Sequence, residues 1–168
     1  MFFNLFCVYE RWTLIIVDLV EYEMRKLNSY SEVLDVLRAF NDSFNPNISV
    51  KVGSLEEYAK KINSIAITYT INRQDKLVGF ISFYVNSKEV YITLIAIKGN
   101  ERRNNLGSHL LNKAFEYCKT NGLSYVRLEL DDQNNIAKQF YEKHGFTRES
   151  MASETTTYYG ICYDKQHK

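Results

Sequence analysis

Lys98-Gly99-Asn100-Glu101-Arg102-Arg103-Asn104-Asn105-Leu106-Gly107-Ser108 is the stretch at which the periodicity of the chain changes. Before it, Val90 to Ile97 reads as a strand; after it, Leu106, Leu110, Leu111, Ala114 and Cys118 recur at helical spacing. The stretch is therefore a strand-to-helix turn. Free backbone N–H groups at a helix N-terminus point outward and carry partial positive charge, which suits an anion. Gly107 lets a ligand approach the backbone, Asn104 and Asn105 tolerate left-handed dihedrals, and Arg102 and Arg103 add charge. By chemistry this is a phosphate site, although a polar helix cap with solvated arginines accounts for the same residues equally well. It is neither a P-loop, since no Gly-Lys-Ser/Thr follows, nor a dinucleotide turn, since the G-x-G-x-x-G spacing is missing.

Working outward, Tyr22 to Leu27 reads as a short strand. Ser29-x-x-Glu32 and Ser54-x-x-Glu57 are capping-box signatures, each followed by apolar residues at helical spacing (Val33, Leu34, Leu37, Phe40; Leu55, Tyr58, Ala59, Ile62). Asn41 to Asn47 between them reads as a loop. Ile65 to Ile71, Leu77 to Val85 and Val90 to Ile97 are joined by polar turns and imply an antiparallel meander. Beyond the turn, Asn121-Gly122 stops a helix and Leu123 to Leu130 is a strand. Ile136, Ala137, Phe140 and Tyr141 mark a further helix closed by Gly145-Phe146, and Tyr158 to Tyr163 is a last strand. Strand, helix, strand in this order requires a parallel crossover, so the sheet is mixed.

Composition limits the alternatives. The chain has 168 residues, 45% hydrophobic and 24% charged, which suits one globular domain with a core of its own. A net charge of +1 gives no extended footprint for nucleic acid, despite Lys98, Arg102 and Arg103. Cys7, Cys118 and Cys162 are odd in number and widely spaced, and His109, His144 and His167 are isolated. No metal site or disulfide framework is expected, and a reducing, cytoplasmic setting is. Met1 to Val20 is apolar in part, but Glu10, Arg11 and Asp18 break it, so no membrane span is expected. Residues 1–21 are read as an extra strand, an interface segment or an extension ahead of a start at Met24. Residues 22–168 are read as the domain.

The second constellation is Asn134-x-x-Ala137-x-x-Phe140-Tyr141-Glu142-Lys143-x-Gly145-Phe146, with Asn at a strand-to-helix junction and Tyr one turn beyond Ala. Together with Arg102-x-x-Asn105-x-Gly107, it resembles the GNAT superfamily of acyl-CoA-dependent N-acetyltransferases. That family's signature is Arg/Gln-x-x-Gly-x-Gly/Ala. The likeness runs from Tyr22 to Tyr163. It departs at Asn105, where the family usually has glycine, and at Gly99, where proline is common. The resemblance implies an α/β (α+β) fold with a mixed, mostly antiparallel sheet of about six to seven strands and about four flanking helices.

It also implies a mechanism. Acetyl-CoA would be co-substrate, its pyrophosphate on the backbone of Arg102, Arg103, Asn104, Asn105, Leu106, Gly107 and Ser108. Its pantetheine arm would pair with backbone near Ile95, Ala96 and Ile97, and Asn134 and Tyr141 would complete the coenzyme contacts. A neutral amine would attack the thioester directly, with Tyr141 as the acid that protonates the leaving thiolate. Glu129, facing opposite to Leu128 and Leu130, stands where the ribosomal-protein alanine acetyltransferase branch has its base; water is the alternative. Cys118 fits a buried helix position and not a nucleophile, and Asp131 and Asp132 read as helix caps. The acceptor, a small molecule or a peptide or protein amine, would be set by Tyr30 to Ile62 and the last strands. Those segments carry Phe40, Phe44, Tyr58, Tyr158 and Tyr159 with Asp42, Glu56 and Glu57. Homodimerisation is left open. The competing reading is a non-catalytic acyl-CoA-binding module of the same fold.

Overall fold

A computed structural model describes residues 12–17 and 20–162; Cys7, Glu10, Arg11, Asp18, Tyr163 and His167 lie outside them. In chain order come β1 (Trp12–Val17), β2 (Val20–Lys26), α1 (Tyr30–Phe40), α2 (Ile48–Val52), α3 (Leu55–Ile65), β3 (Ala66–Arg73) and β4 (Lys76–Val85). Then follow β5 (Val90–Ile97), α4 (Leu106–Thr120), β6 (Tyr125–Asp131), α5 (Asn135–Lys143), β7 (Thr147–Met151) and β8 (Thr156–Cys162). The strands form one sheet in the order β1-β2-β3-β4-β5-β6-β8-β7. The pairs β1–β2, β2–β3, β6–β8 and β7–β8 are antiparallel, and β5–β6 is parallel, with α4 as the crossover between its members.

The expected mixed, mostly antiparallel sheet is therefore present, with eight strands among the described residues. Two of them carry little sequence signal. β7 is Thr-Arg-Glu-Ser-Met and exposed at every position, so no apolar alternation marks it. β1 sits in the segment left open at the N-terminus; it pairs with β2 from Trp12↔Arg25 to Val17↔Val20. The extra helix, α2, is a single five-residue turn without a side-chain cap, just beyond the stretch Asn41 to Asn47 read as a loop.

The chain packs as two compact units. One comprises the described residues up to Ser82 together with Leu94–Leu110; the other comprises Phe83–Thr93 and the described residues from Leu111 onward. In the first unit both capping signatures are used. The Ser29 side chain accepts from the Glu32 N–H, and the Glu32 carboxylate accepts from the Asn28 N–H at 3.2 Å and the Ser29 hydroxyl at 3.0 Å. Ser54 likewise accepts from the Glu57 N–H at 3.2 Å. These caps start α1 and α3 so that Val33, Leu34, Leu37 and Phe40 of the one, and Ala59 and Ile62 of the other, are buried. Phe40 packs on Phe80 of β4 with ring centroids 5.0 Å apart. Full burial of such a side chain contributes about 1.5–3 kcal/mol.

In the second unit Leu111, Ala114 and Cys118 of α4 are fully enclosed, and the Cys118 thiol donates to the Leu123 carbonyl at 3.1 Å. Helix α5 ends in a left-handed cap. Gly145 has φ 86°, its N–H donates to the Glu142 carbonyl, and the Phe146 N–H donates to the Tyr141 carbonyl at 3.1 Å. This is the Schellman pattern, and the apolar contact that accompanies it is Tyr141 against Phe146, with centroids 5.4 Å apart. Phe146 in turn stacks on Phe115 of α4 at 5.9 Å.

Burial opposes the charge on Glu32, but hydrogen bonds from Arg25, Asn28 and Ser29 outweigh it and hold the carboxyl below its ordinary value of 4.5. A depressed folded value means stability that is complete above the ordinary value and lost as pH falls through the folded one. Glu32→Gln should therefore lower the thermal midpoint at neutral pH. The gap from wild type should narrow as pH falls below the ordinary carboxyl value of 4.5, in thermal melts taken across a pH series.

Candidate active site

In the first unit, β5 runs into a short 3-10 turn, Gly99–Glu101, and α4 begins at Leu106. Between them Arg103 has φ 71° and Asn105 φ 57°. Each left-handed non-glycine residue costs roughly 1–2 kcal/mol, least for asparagine. Asn105, where the resembled pattern has glycine, thus adopts the conformation glycine would supply. Its carbonyl accepts from the N–H groups of Ser108 at 3.1 Å and His109 at 3.3 Å, which starts the helix. That engages the Ser108 N–H and leaves the donors of the expected anion site as those from Arg103 to Gly107, which make no backbone hydrogen bond among the described residues. The Arg102 Nε bonds back to the Ile97 carbonyl at 3.3 Å, Arg103 is exposed, and the Leu106 side chain is buried. The Asn104 side chain is turned toward Tyr22 and is thereby committed within the protein.

The turn is anchored from beneath by residues that its sequence does not single out. Glu101, 5% exposed, accepts from the Tyr22 hydroxyl and from Arg73 Nη1, each at 3.0 Å. Tyr22, from β2, is itself 1% exposed. Burial, then the hydrogen bond to Glu101, raises its phenol above the ordinary value and keeps it a donor. With its proton directed at Glu101, the phenol oxygen can only accept from Asn104 Nδ2, at 3.1 Å. Ile95, Ala96 and Ile97 are half-buried, and the Lys98 N–H donates to the Val78 carbonyl at 2.9 Å.

The second unit holds the remaining expected residues. Glu129 lies on the solvent side of β6, as its alternation with the buried Leu128 and Leu130 requires. Its carboxylate accepts from the Thr156 hydroxyl at 2.6 Å and the Tyr91 hydroxyl at 3.4 Å. Sequence reading missed both hydroxyls; the only available signal was Tyr91 alternating outward between the buried Val90 and Ile92. Burial, then the Glu129 charge and the nearby Tyr158, pushes the Tyr91 phenol well above its ordinary value. Arg127, two residues along, pairs with Glu149 at 3.0 Å and Glu89 at 3.5 Å, and lies over the rings of Tyr125 and Tyr158. This face of β5, β6 and β8 is thus rich in tyrosines and carboxylates around one guanidinium.

Tyr141 is 5% exposed, and burial alone drives its phenol far above the ordinary value. Its hydroxyl makes no hydrogen bond among the described residues, and neither a hydrogen bond nor a ring contact joins it to Glu129. Asn134 caps α5, its Oδ1 accepting from the Ala137 N–H at 3.1 Å. Several residues considered for the acceptor have other partners. Phe40 and Tyr159 are core, Glu56 pairs with Arg38, Glu57 with Lys60, and Asp42 accepts from Asn41 and Asn47. Among the described residues no group of His, Cys, Asp and Glu could hold a metal ion, and no helix is long and apolar enough to cross a membrane.

Residues 33–146 match the acetyltransferase (GNAT) family. N-alpha-acetyltransferase 50 of Danio rerio is 26% identical over 130 residues, covering 77% of this chain and 71% of that protein. A candidate ribosomal protein bS18-alanine N-acetyltransferase of Bacillus subtilis is 31% identical over 83 residues, 49% of this chain and 55% of that one. The PaiA N-acetyltransferase of Thermoplasma acidophilum, solved with coenzyme A, shares the fold with a TM-score of 0.68 at 19% identity, over 84% of this chain and 99% of that one. A family match over more than half of its length, on a fold shared with a solved N-acetyltransferase, means that the chain belongs to the acetyltransferase (GNAT) family.

Proposed function

We propose that the chain is a working N-acetyltransferase, moving the acetyl group of acetyl-CoA directly onto a primary amine. The observation that carries this is the turn before α4. Its backbone donors from Arg103 to Gly107 are left unpaired at a helix N-terminus, with Asn105 in the left-handed conformation that the family's glycine would supply. The donor set suits the pyrophosphate of the coenzyme, with the arginine side chains secondary to the backbone. Ile95 to Ile97 lie beyond the three residues of β5, Val90 to Ile92, that are in register with β6. Their backbone groups are the ones assigned to the pantetheine arm, and an N–H aimed at the developing oxyanion would contribute about 3 kcal/mol. Asn134 would meet the coenzyme from the start of α5.

In the reaction the amine nitrogen forms a bond to the thioester carbonyl carbon and the carbon–sulfur bond breaks. Coenzyme A leaves as a thiolate that takes a proton from Tyr141, while the new amide nitrogen loses one to Glu129 or to water. Burial keeps Tyr141 protonated throughout the working range, which supports a donor role. Glu129 is exposed on its strand and accepts from the Thr156 and Tyr91 hydroxyls, which supports reading it as the proton acceptor and not as a core residue. Cys118, buried with its thiol bonded to the Leu123 carbonyl, and Cys162, both outside any disulfide among the described residues, support a reducing, cytoplasmic location.

The test is release of free thiol from acetyl-CoA across an amine panel of polyamines, aminoglycosides, lysine peptides and peptides with free N-termini, the class named in two relatives, with mass spectrometry of the product. Turnover with a defined acceptor supports the enzyme; acetyl-CoA binding without turnover across the panel supports the binding module. Gly107→Glu puts a carboxylate among the turn's donors and should weaken coenzyme A binding by about tenfold or more in calorimetry. Tyr141→Phe should lower kcat by about a hundredfold or more, with acetyl-CoA affinity nearly unchanged; unchanged turnover removes the acid role. Glu129→Gln should lower kcat with acetyl-CoA affinity nearly unchanged, and unchanged turnover would assign the base to water.

A further inference from the structure

We propose that the Tyr22 hydroxyl is a positioning group for the phosphate-binding turn, acting through Glu101 and Asn104. The proposal rests on the reading of that turn as the pyrophosphate site. Glu101 lies two residues before the left-handed Arg103 and Asn104 lies between Arg103 and the left-handed Asn105, and both side chains converge on one phenol oxygen 79 and 82 residues away in sequence. A turn with two strained residues keeps its shape only when its surroundings over-determine it. Here the surroundings are a donor–acceptor chain in which each group has its role fixed by the next. Arg73 and Tyr22 donate to the buried Glu101 carboxylate, and Asn104 donates to Tyr22.

The arrangement also manages a charge. Glu101 is a carboxylate beside a site meant for a dianion, which would repel the ligand if it swung outward. Arg73 neutralises it and Tyr22 holds its second oxygen inward, so the anion meets backbone donors and not a carboxylate. The Asn104 side-chain amide is committed to Tyr22, while its backbone N–H has no backbone partner among the described residues. Tyr22 touches neither the coenzyme nor the reacting atoms in this scheme; its effect is on the geometry of groups that do.

The test compares two probes, acetyl-CoA and acetyl-pantetheine, which keeps the thioester arm and lacks the pyrophosphate. Affinities are measured by calorimetry on the full chain. Tyr22→Phe should weaken acetyl-CoA binding by about three- to tenfold while leaving acetyl-pantetheine unchanged. Asn104→Ala, whose loss is milder for folding, should do the same. The double variant should bind about as the weaker single one, because both changes break one chain. Glu101→Gln, which can still accept from Tyr22, should retain more affinity than Glu101→Ala. If Tyr22→Phe lowers the thermal midpoint but keeps the preference for acetyl-CoA, or if both probes weaken together, or if the two variants add, the positioning role is overturned. If the wild type shows no preference for acetyl-CoA over acetyl-pantetheine, the pyrophosphate reading fails first and takes this proposal with it.

Discussion

Arg103 and Asn105 stand in the left-handed region without the freedom of glycine, and the first unit is organised so that they remain there. On one side the start of α4 is fixed by the buried Leu106 and by the Asn105 carbonyl, which accepts two N–H groups. On the other, Lys98 is tied to β4 and Glu101 is drawn into the interior. Strain, burial and hydrogen bonding are therefore one arrangement: the N–H groups from Arg103 to Gly107 have no backbone partner among the described residues, while Glu101, Asn104 and Leu106 are held from within. The anion site proposed for this turn is made of backbone donors and needs no extended positive charge, in keeping with a net charge of +1.

The second unit shows the same economy with different means. The segment Tyr141 to Phe146 is first of all a helix stop. Gly145 takes the conformation that lets two N–H groups close on the last carbonyls, and Tyr141 and Phe146 pack across the cap. A tyrosine at that position is located by backbone hydrogen bonds and a ring contact, whatever else it does. Glu129 is located differently, by strand alternation and by two hydroxyls, Thr156 from β8 and Tyr91 from β5. Tyr141 and Glu129 thus both have a part in the fold, whatever chemistry they carry.

Much of this was visible in the sequence, and what was not has identifiable causes. The capping boxes at Ser29 and Ser54 and the period change at Lys98 are local signals, and both caps and the strand-to-helix turn form where they predict. β7 and α2 were missed because an exposed charged strand has no alternation and a single turn has no period. Glu101 escaped notice because, next to two arginines, it reads as a solvated charge. Only the sheet order, which brings β2 and β3 together beneath the turn, makes it a buried one. Phe40 and Tyr159, read as aromatics that could meet an acceptor, are core for the corresponding reason, since sequence gives composition of a face without saying what covers it.

The anchor at Tyr22 joins points 79 residues apart, so it closes one of the longest loops in the first unit, around three helices and three strands. Loop closure of that length is entropically costly and comes after local contacts have formed. During synthesis β2 emerges long before the turn and must wait for it, its phenol without Glu101, until β3, β4 and β5 have been made. A coenzyme that binds only the finished turn, as proposed, would favour the completed state over its precursors by mass action.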